Sequence, residues 1–92
     1  MALLFSQHAA RRMVEEELTP EAVAAPLTTG DVIEAYPDDT PYPNRLVLGW
    51  GAGRPVHMVV ADGPDTITVV VTAYRPKPTR WDPMFRTRRP RR

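Results

Sequence analysis

The side chains of this sequence that could move protons or hold a phosphate are two histidines, one arginine and two hydroxyls. His8 and His57 are the only histidines in the chain. Imidazoles that titrate near neutral pH suit RNA cleavage without a metal ion, in which one takes the proton of the 2′-hydroxyl and the other protonates the leaving 5′-oxygen. Arg12 would stabilise the charge of the pentavalent phosphate. The predicted catalytic residues are His8, Arg12, His57, Thr72 and Tyr74, the last two each offering a hydroxyl to a phosphate oxygen.

The same residues also have a purely structural interpretation. His57 falls in a predicted strand, where a histidine commonly serves as a hydrogen-bonded core residue, because leaving it buried and unpaired would cost about 1 to 3 kcal/mol. His8, Arg12 and Glu16 follow one another at i, i+4, which also describes a solvated helix face with an Arg–Glu pair. Catalysis by two histidines requires that His8 and His57 point into one shared cleft, so this geometry separates the two interpretations.

Basic residues are concentrated at the C-terminal end of the chain. The net charge is only +1, yet residues 1–74 carry four arginines against ten carboxylates, and residues 75–92 carry eight basic residues against Asp82 alone. Such a segment is typical of proteins that bind polyanions or an acidic partner, and it is equally typical of a disordered terminus. The residues predicted to bind RNA or a protein partner are Arg75, Arg80, Arg86, Arg88 and Arg89, and Arg91 and Arg92 extend the same basic tail.

A predicted β-hairpin from Val56 to Tyr74 would position His57 near the centre of a sheet. Two apolar, β-branched runs flank the turn sequence Asp62-Gly63-Pro64-Asp65, and both faces of each run are mostly apolar, as in central strands. After the hairpin, prolines forbid further sheet. Trp81 is an apolar anchor in the basic tail, and we expect the tail to fold back on the core at this residue.

Two helices are predicted before the strands. Ser6 is a candidate N-cap for the first, Thr19 followed by Pro20 marks the start of the second, and Pro26 is expected to end it. The pattern predicts an α+β domain in which two N-terminal helices pack on a four-stranded, mostly antiparallel sheet. The predicted helices span 6–17 and 20–25, and the predicted strands span 31–36, 45–50, 54–61 and 66–73.

Composition limits the classes of protein to which this chain can belong. Its 92 residues suffice for one small domain, predicted at 1–85 and followed by the basic tail 86–92. The lack of cysteine excludes a disulfide framework and a thiolate zinc site, and favours a reducing cytoplasm. The apolar run at the start is too short for a signal-peptide core or a membrane span, so no membrane partner is expected. No metal-ligand spacing or glycine-rich phosphate loop occurs, so no metal and no cofactor are predicted.

Several short motifs occur in a fixed order along nearly the whole chain. They are His8-Ala9 with Arg12-Met13, Gly30-Asp31-Val32-Ile33-Glu34, Tyr36-Pro37-Asp38-Asp39 with Pro41-Tyr42-Pro43, Leu46-Val47-Leu48-Gly49, the stretch from Gly53 to Ala61, Thr72-Ala73-Tyr74-Arg75-Pro76, and Trp81 and Phe85 with Arg88-Arg89. As an ordered set they resemble the small bacterial family called domain of unknown function 4258.

The resemblance implies a fold and a function. Members of that family resemble the RelE and BrnT toxins, so we expect a RelE- or barnase-like toxin fold. It also implies a toxin-like, metal-independent ribonuclease that acts on RNA and pairs with a small antitoxin, often one with a zinc-finger head. The residues that fall on the family's recurring polar positions are His8, Arg12, His57, Thr72 and Tyr74.

Two positions depart from the family pattern. Family members tend to have Arg-Gly where this chain has Glu16-Glu17, and Pro26 interrupts a helix that is usually unbroken. Glu16 can pair with Arg12 and withdraw it from a phosphate. The alternative function is therefore a catalytically silent module of the same fold that binds protein or RNA.

Overall fold

The computed structural model of the protein describes residues 2–40 and 42–90. Within them, five strands and two helices form an α+β domain. Their bounds are β1 Ala2–Phe5, α1 Gln7–Glu15, α2 Pro20–Thr29, β2 Asp31–Tyr36, β3 Asn44–Gly51, β4 Arg54–Asp62 and β5 Ile67–Tyr74. Neither of these helices has the length and apolar character needed to cross a membrane.

The strands form one sheet in the order β1-β5-β4-β3-β2. Strands β2 to β5 make an antiparallel meander, and β1 joins the outer edge of β5 in parallel, with Phe5 opposite Val70. The middle strand is β4, as its two apolar faces predict. Because side chains alternate along a strand, Met58 and His57 point to opposite faces of the sheet.

Both helices pack on the face of the sheet that carries Met58. Helix α1 lies on β5 and α2 lies on β3. Fully burying a Val, Leu or Met side chain contributes about 1.5 to 3 kcal/mol, so this layer is the main hydrophobic core. Its buried residues are Ala9, Met13, Leu18, Val23, Val47, Val56, Met58, Val60, Val70 and Ala73.

The two helix starts predicted from the sequence are confirmed. The Ser6 hydroxyl oxygen accepts the Ala9 N–H at 2.9 Å, and the Thr19 hydroxyl oxygen accepts the Ala22 N–H at 3.1 Å. Ser6 also donates its hydroxyl proton to the Val71 carbonyl at 2.8 Å. The cap therefore ties the start of α1 to the part of β5 that lies beyond the end of β1.

The predicted four-stranded, mostly antiparallel sheet behind two N-terminal helices, in a RelE- or barnase-like arrangement, is wrong. A fifth strand, β1, precedes the helices, and its parallel pairing with β5 makes the sheet mixed. The four-residue run Ala2–Phe5 has too few residues to show a period, and its partner is the last strand of the sheet in sequence. Parallel pairing at such a distance leaves no turn signal beside the strand. The four predicted strand segments are present, each with its ends within one residue of the prediction.

The prediction that Pro26 ends the second helix is also wrong, because α2 continues to Thr29. A proline inside a helix removes one backbone hydrogen bond. Here Pro26 is fully buried and lies on Gly49 and Gly51 of β3, so close that a Cβ at Gly49 would overlap the Pro26 carbonyl oxygen. Burial of the proline ring against two glycines offsets the lost bond.

The face of the sheet that carries His57, the second face, is partly covered by residues 75–90, the C-terminal segment. Trp81 is only 3% exposed, which confirms its predicted role as the apolar anchor of this segment. After it the chain turns sharply, with an Asp82 carboxylate oxygen accepting the Arg86 N–H at 2.9 Å. This turn returns the segment across the sheet.

Part of the predicted basic tail folds back onto β2. Arg86 pairs with Asp31 at 3.2 Å, and Arg88 pairs with Glu34 at 3.2 Å. Residues 86–90 therefore contact the domain that precedes them. Arg91 and Arg92, which belong to the same predicted tail, lie outside the described residues.

Candidate functional site

His57 lies on the second face of the central strand and is completely buried. The strand register places it between Leu48 of β3 and Tyr74 of β5. The Trp81 ring meets the imidazole edge to face, with 4.3 Å between ring centroids. The Phe85 carbonyl oxygen lies 2.8 Å from Nε2. Because a carbonyl only accepts, Nε2 must carry the proton and donate it.

The bond to Phe85 fixes one tautomer of His57. Burial lowers the pKa of His57 below its ordinary value of 6.5 and outweighs the opposing effect of the Phe85 carbonyl, so the ring is neutral at pH 7. A neutral ring protonated at Nε2 has a lone pair at Nδ1, and the Tyr74 hydroxyl, 3.2 Å away, donates to it. Burial raises the pKa of Tyr74, so its hydroxyl keeps its proton at neutral pH.

The turn around Phe85 aims its carbonyl at His57. Phe85 has a φ of 61°, in the left-handed region that residues with a Cβ rarely adopt. Its N–H donates to the Asp82 carbonyl at 2.9 Å. The Phe85 ring meets the Trp50 ring edge to face, with 6.0 Å between centroids. The Phe85 carbonyl thus contacts the imidazole, while the Phe85 ring packs on Trp50.

Arg12 reaches the end of β5 from α1. Because β1 stops opposite Val70, the rest of the β5 edge is left for α1, and the Arg12 guanidinium lies 5.3 Å from the centre of the Tyr74 ring. A Glu16 oxygen accepts the backbone N–H of Arg75 at 2.7 Å, and the other lies 3.6 Å from Arg12 Nε. Glu16 thus pairs with Arg12 and at the same time holds it beside Tyr74.

The end of β5, α1 and the C-terminal segment enclose an open cleft of about 380 Å³, here called the basic cleft. Among the described residues that line it, five are cationic and none is a carboxylate. A cleft lined by one sign of charge attracts ions of the opposite sign. The lining residues are Arg12, Tyr74, Arg75, Lys77, Arg80, Trp81 and Arg88.

Two buried polar atoms at this end of β5 have no hydrogen-bond partner among residues 2–40 and 42–90. They are Nη1 of Arg75 and the hydroxyl oxygen of Thr72. A buried donor without a partner costs about 1 to 3 kcal/mol, and more if it is charged. Arg75 lines both the basic cleft and a smaller pocket beside α2, and because its Nη1 is shielded from solvent, the missing partner does not indicate a ligand in the cleft.

Arg88 is fixed on the other wall of the basic cleft by β2. Its Nε and Nη2 each donate to Glu34 at 3.2 Å, and its guanidinium lies 4.7 Å from the centre of the Trp81 ring. Glu34 also accepts the hydroxyl proton of Tyr36. Burial acts to raise the pKa of Glu34, but the bonds from Tyr36 and Arg88 outweigh it and lower the pKa below 4.5. Glu34 is therefore charged at neutral pH and anchors Arg88.

The structure brings four of the predicted catalytic residues together and leaves His8 apart. His57, Thr72 and Tyr74 lie on the second face of adjacent strands, and Arg12 reaches the Tyr74 ring. His8 is exposed on α1, the helix that packs on the opposite face, whereas His57 is sealed beneath the C-terminal segment. The two imidazoles therefore share no cleft.

Of the arginines predicted to bind RNA or a partner, Arg75, Arg80 and Arg88 line the basic cleft, while Arg86 pairs with Asp31. Arg89 donates from Nε to the carbonyls of Pro78 and Trp81. The prediction did not include Lys77. Its position three residues after Tyr74, in a stretch where prolines prevent sheet, is a signal that could have placed it at the same strand end.

No three His, Asp or Glu side chains come together as metal ligands within the part of the chain that the structure describes. No curated protein and no solved structure matches the chain, so the likeness to RelE and BrnT gains no support. A family model described as Domain of unknown function (DUF4258) matches residues 5–75, from the end of β1 to just beyond β5. The chain belongs to that family.

Proposed function

We propose that the protein binds RNA in the basic cleft and cleaves it without a metal ion, as the toxin of a bacterial toxin–antitoxin pair. The observation that carries this proposal is the convergence of five cationic side chains around Tyr74, whose hydroxyl is hydrogen-bonded to His57. Arginine guanidinium groups match the geometry and charge of phosphate oxygens. A phosphodiester is therefore the anion that best fits the cleft.

Arg75 adds positive charge for a phosphate in the basic cleft. Its Nη1 has no partner among the described residues, but this atom is buried and is not placed to contact a ligand. Arg12, which contacts the same Glu16 carboxylate as Arg75, lies over the Tyr74 ring and would stabilise the negative charge that develops on the pentavalent phosphorus.

Tyr74 and His57 provide a route for the proton of the nucleophile. As the 2′-oxygen bonds to phosphorus, its proton passes to the Tyr74 oxygen, and Tyr74 gives its own proton to Nδ1 of His57. The bond from phosphorus to the 5′-oxygen breaks, and the Lys77 ammonium protonates the leaving oxygen. The products are a 2′,3′-cyclic phosphate and a free 5′-hydroxyl.

A catalytically silent RNA-binding module is the second candidate, and the state of His57 favours it. The imidazole is completely buried, both of its nitrogens are engaged, and burial lowers its pKa. Each of these features opposes the imidazolium that the proton relay forms. Such a module would keep the phosphate contacts of the basic cleft and lack the cleavage step.

Cleavage of a single-stranded RNA in the presence of a chelator tests the proposal. We expect wild type to arrest growth of a bacterial host and to produce 2′,3′-cyclic phosphate ends in vitro. Tyr74→Phe should lower the cleavage rate on the order of 100-fold, the contribution typical of a general acid–base group. Tyr42→Phe is the matched control, because Tyr42 is exposed and does not line the basic cleft.

Three outcomes decide between the candidates. Loss of cleavage in Tyr74→Phe with retained RNA binding supports the ribonuclease. RNA binding by a wild-type protein that neither cleaves nor arrests growth supports the silent module. Wild type that does not bind RNA contradicts both.

The proposal includes a partner and a compartment. A neutralising antitoxin has to cover the basic cleft, so its contact surface should be acidic, and the family resemblance implies a small protein that often carries a zinc-finger head. The lack of cysteine and an RNA substrate fit a place in the cytoplasm. A neighbouring gene for a small protein with a CxxC motif would support the pairing.

A further inference from the structure

We infer, building on the proposed function, that the RNA-binding surface holds the backbone of a strand at two successive positions and recognises phosphates rather than bases. A second cleft of about 460 Å³ lies beside the basic cleft. Arg80 and Arg88 line both of them. The residues that line the second cleft are Thr79, Arg80, Arg88, Arg89 and Pro90.

The second cleft is cationic, as the first is. Arg80 is exposed and forms no ion pair with any carboxylate among residues 2–40 and 42–90. Arg88 uses Nε and Nη2 for Glu34, and Arg89 uses Nε for two backbone carbonyls. A guanidinium has five N–H donors, so both of these anchored arginines keep donors for a phosphate.

The aromatic rings in the clefts are already engaged within the protein. Tyr74 and Trp81 are the aromatic residues among the described residues that line either cleft. The Arg88 guanidinium lies over the Trp81 ring and the Arg12 guanidinium over the Tyr74 ring, while the His57 ring meets both edge to face. Stacking on a base needs an open ring face, so recognition falls to the phosphates, which carry no base sequence.

The size of the two clefts sets the smallest ligand that can fill them. Each lies within the roughly 300 to 1,000 Å³ range of small-molecule sites, which is the scale of one nucleotide. A mononucleotide can occupy one cleft, whereas a strand of several nucleotides can occupy both. Affinity should therefore rise with strand length and vary little with base composition.

Fluorescence anisotropy with 2′-O-methyl oligonucleotides tests this inference, because these strands lack the 2′-hydroxyl and cannot be cleaved by the proposed route. Wild type should bind strands of about eight nucleotides at least tenfold more tightly than dinucleotides, since each added phosphate contact releases counterions. Homopolymers of adenine, uracil and cytosine of equal length should differ by less than about threefold if phosphates dominate.

Variants of single residues separate the two positions. Thr79→Glu places a carboxylate in the second cleft and should weaken binding of the long strand while leaving the dinucleotide nearly unaffected. Thr79→Gln, of nearly equal size, is its neutral control.

Lys77→Gln, in the basic cleft, should weaken binding of both ligands. Arg80→Gln should reduce the slope of log affinity against log salt by about 0.7, the value for one lost contact to a single strand.

Arg11→Gln is the control for removal of a charge, because Arg11 is exposed on α1 and lines neither cleft. Equal losses for long and short ligands in Thr79→Glu would overturn the second position. A preference above about tenfold for one homopolymer would overturn phosphate recognition.

Cleavage of unmodified RNA, measured in parallel, keeps this inference separate from the proposed function. Length-dependent binding without cleavage would support the two-position surface and contradict the ribonuclease activity. Cleavage by a wild-type protein whose affinity does not change with strand length would support the ribonuclease activity and contradict the two-position surface. Circular dichroism and thermal melting of each variant show that it is folded before its binding is compared.

Discussion

At the scale of single residues, His57 shows how a buried polar side chain is accommodated in a small core. Nε2 donates to the Phe85 carbonyl and Nδ1 accepts from the Tyr74 hydroxyl, so neither nitrogen is left unpaired. The neutral form uses one nitrogen as a donor and the other as an acceptor, and burial of the ring disfavours its charged form. Folding therefore favours the uncharged imidazole.

This preference predicts that stability depends on pH in a defined window. Because burial lowers the pKa of His57 below 6.5, the unfolded chain binds a proton that the folded chain does not. The stability contribution is complete above the unfolded pKa and is lost as the pH falls through the folded value. Urea unfolding at several values between about pH 7 and pH 5 should show a falling free energy of unfolding.

His57→Gln is the reference for this measurement, since it removes the titrating group. Its free energy of unfolding should be lower at pH 7 and should depend less on pH across the same window. Identical slopes for wild type and His57→Gln would mean that other groups cause the pH dependence.

Glu16 shows that one carboxylate can have two effects on a neighbouring arginine. The sequence suggests that Glu16 withdraws Arg12 from a phosphate, and the two side chains do pair at 3.6 Å. Glu16 also accepts the Arg75 N–H, which fixes the carboxylate at the end of β5. The same contact that neutralises part of the Arg12 charge therefore holds Arg12 over Tyr74.

At the scale of elements, the contact between α2 and β3 depends on a proline against two glycines. Pro26 interrupts the hydrogen bonds of α2, yet the helix continues because Gly49 and Gly51 leave room for the ring and the adjacent carbonyl. Closer approach of the helix buries more surface on both elements. Local propensity is overridden by packing at this contact.

Gly49→Ala should be strongly destabilising because its Cβ would overlap the Pro26 carbonyl oxygen. Overpacking of this kind typically costs about 1 to 3 kcal/mol. Gly63→Ala is the matched control, since its Cβ would meet Ile67 at an ordinary 3.6 Å, and it should be neutral or slightly stabilising. Urea denaturation of both variants measures the difference, and similar stabilities would show that the backbone can move apart at Gly49 without cost.

At the scale of the whole molecule, the C-terminal segment joins the acidic and basic parts of the chain. Arg86 pairs with Asp31 and Arg88 with Glu34, which brings cations from the end of the chain onto β2. Exposed pairs of this kind contribute about 0 to 1 kcal/mol each. Trp81, which is almost fully buried, therefore contributes most of the energy that holds the segment in place.

Trp81→Ala should destabilise the protein by about 3 to 5 kcal/mol, as is typical for a buried tryptophan, and should expose His57 to solvent. Met84→Ala, in the same segment but at a side chain that is 59% exposed, should change stability by less than about 0.5 kcal/mol. Thermal unfolding followed by circular dichroism compares the two. Equal effects would contradict a dominant anchor at Trp81.

Elements with local sequence signals could be predicted before the fold was known. Ser6 and Thr19 are small hydroxyl residues at helix starts, and the β-branched runs on either side of the turn at 62–65 are mostly apolar on both faces, so caps, strands and the meander could be predicted. These signals depend only on residues a few positions apart. Arg12, His57, Thr72 and Tyr74 were predicted as candidates on the same basis, from residue type and from their places on elements.

Features that depend on contacts between distant parts of the chain became visible only in the folded protein. The parallel pairing of β1 with β5, the packing of Pro26 on Gly49, and the fold-back of the C-terminal segment over His57 each join parts of the chain that no short pattern links. The face on which α1 packs also separates His8 from His57, because alternation along β4 puts Met58 on the helix side and His57 on the other. Pairing and burial of this kind are set by which surfaces meet once the chain has folded.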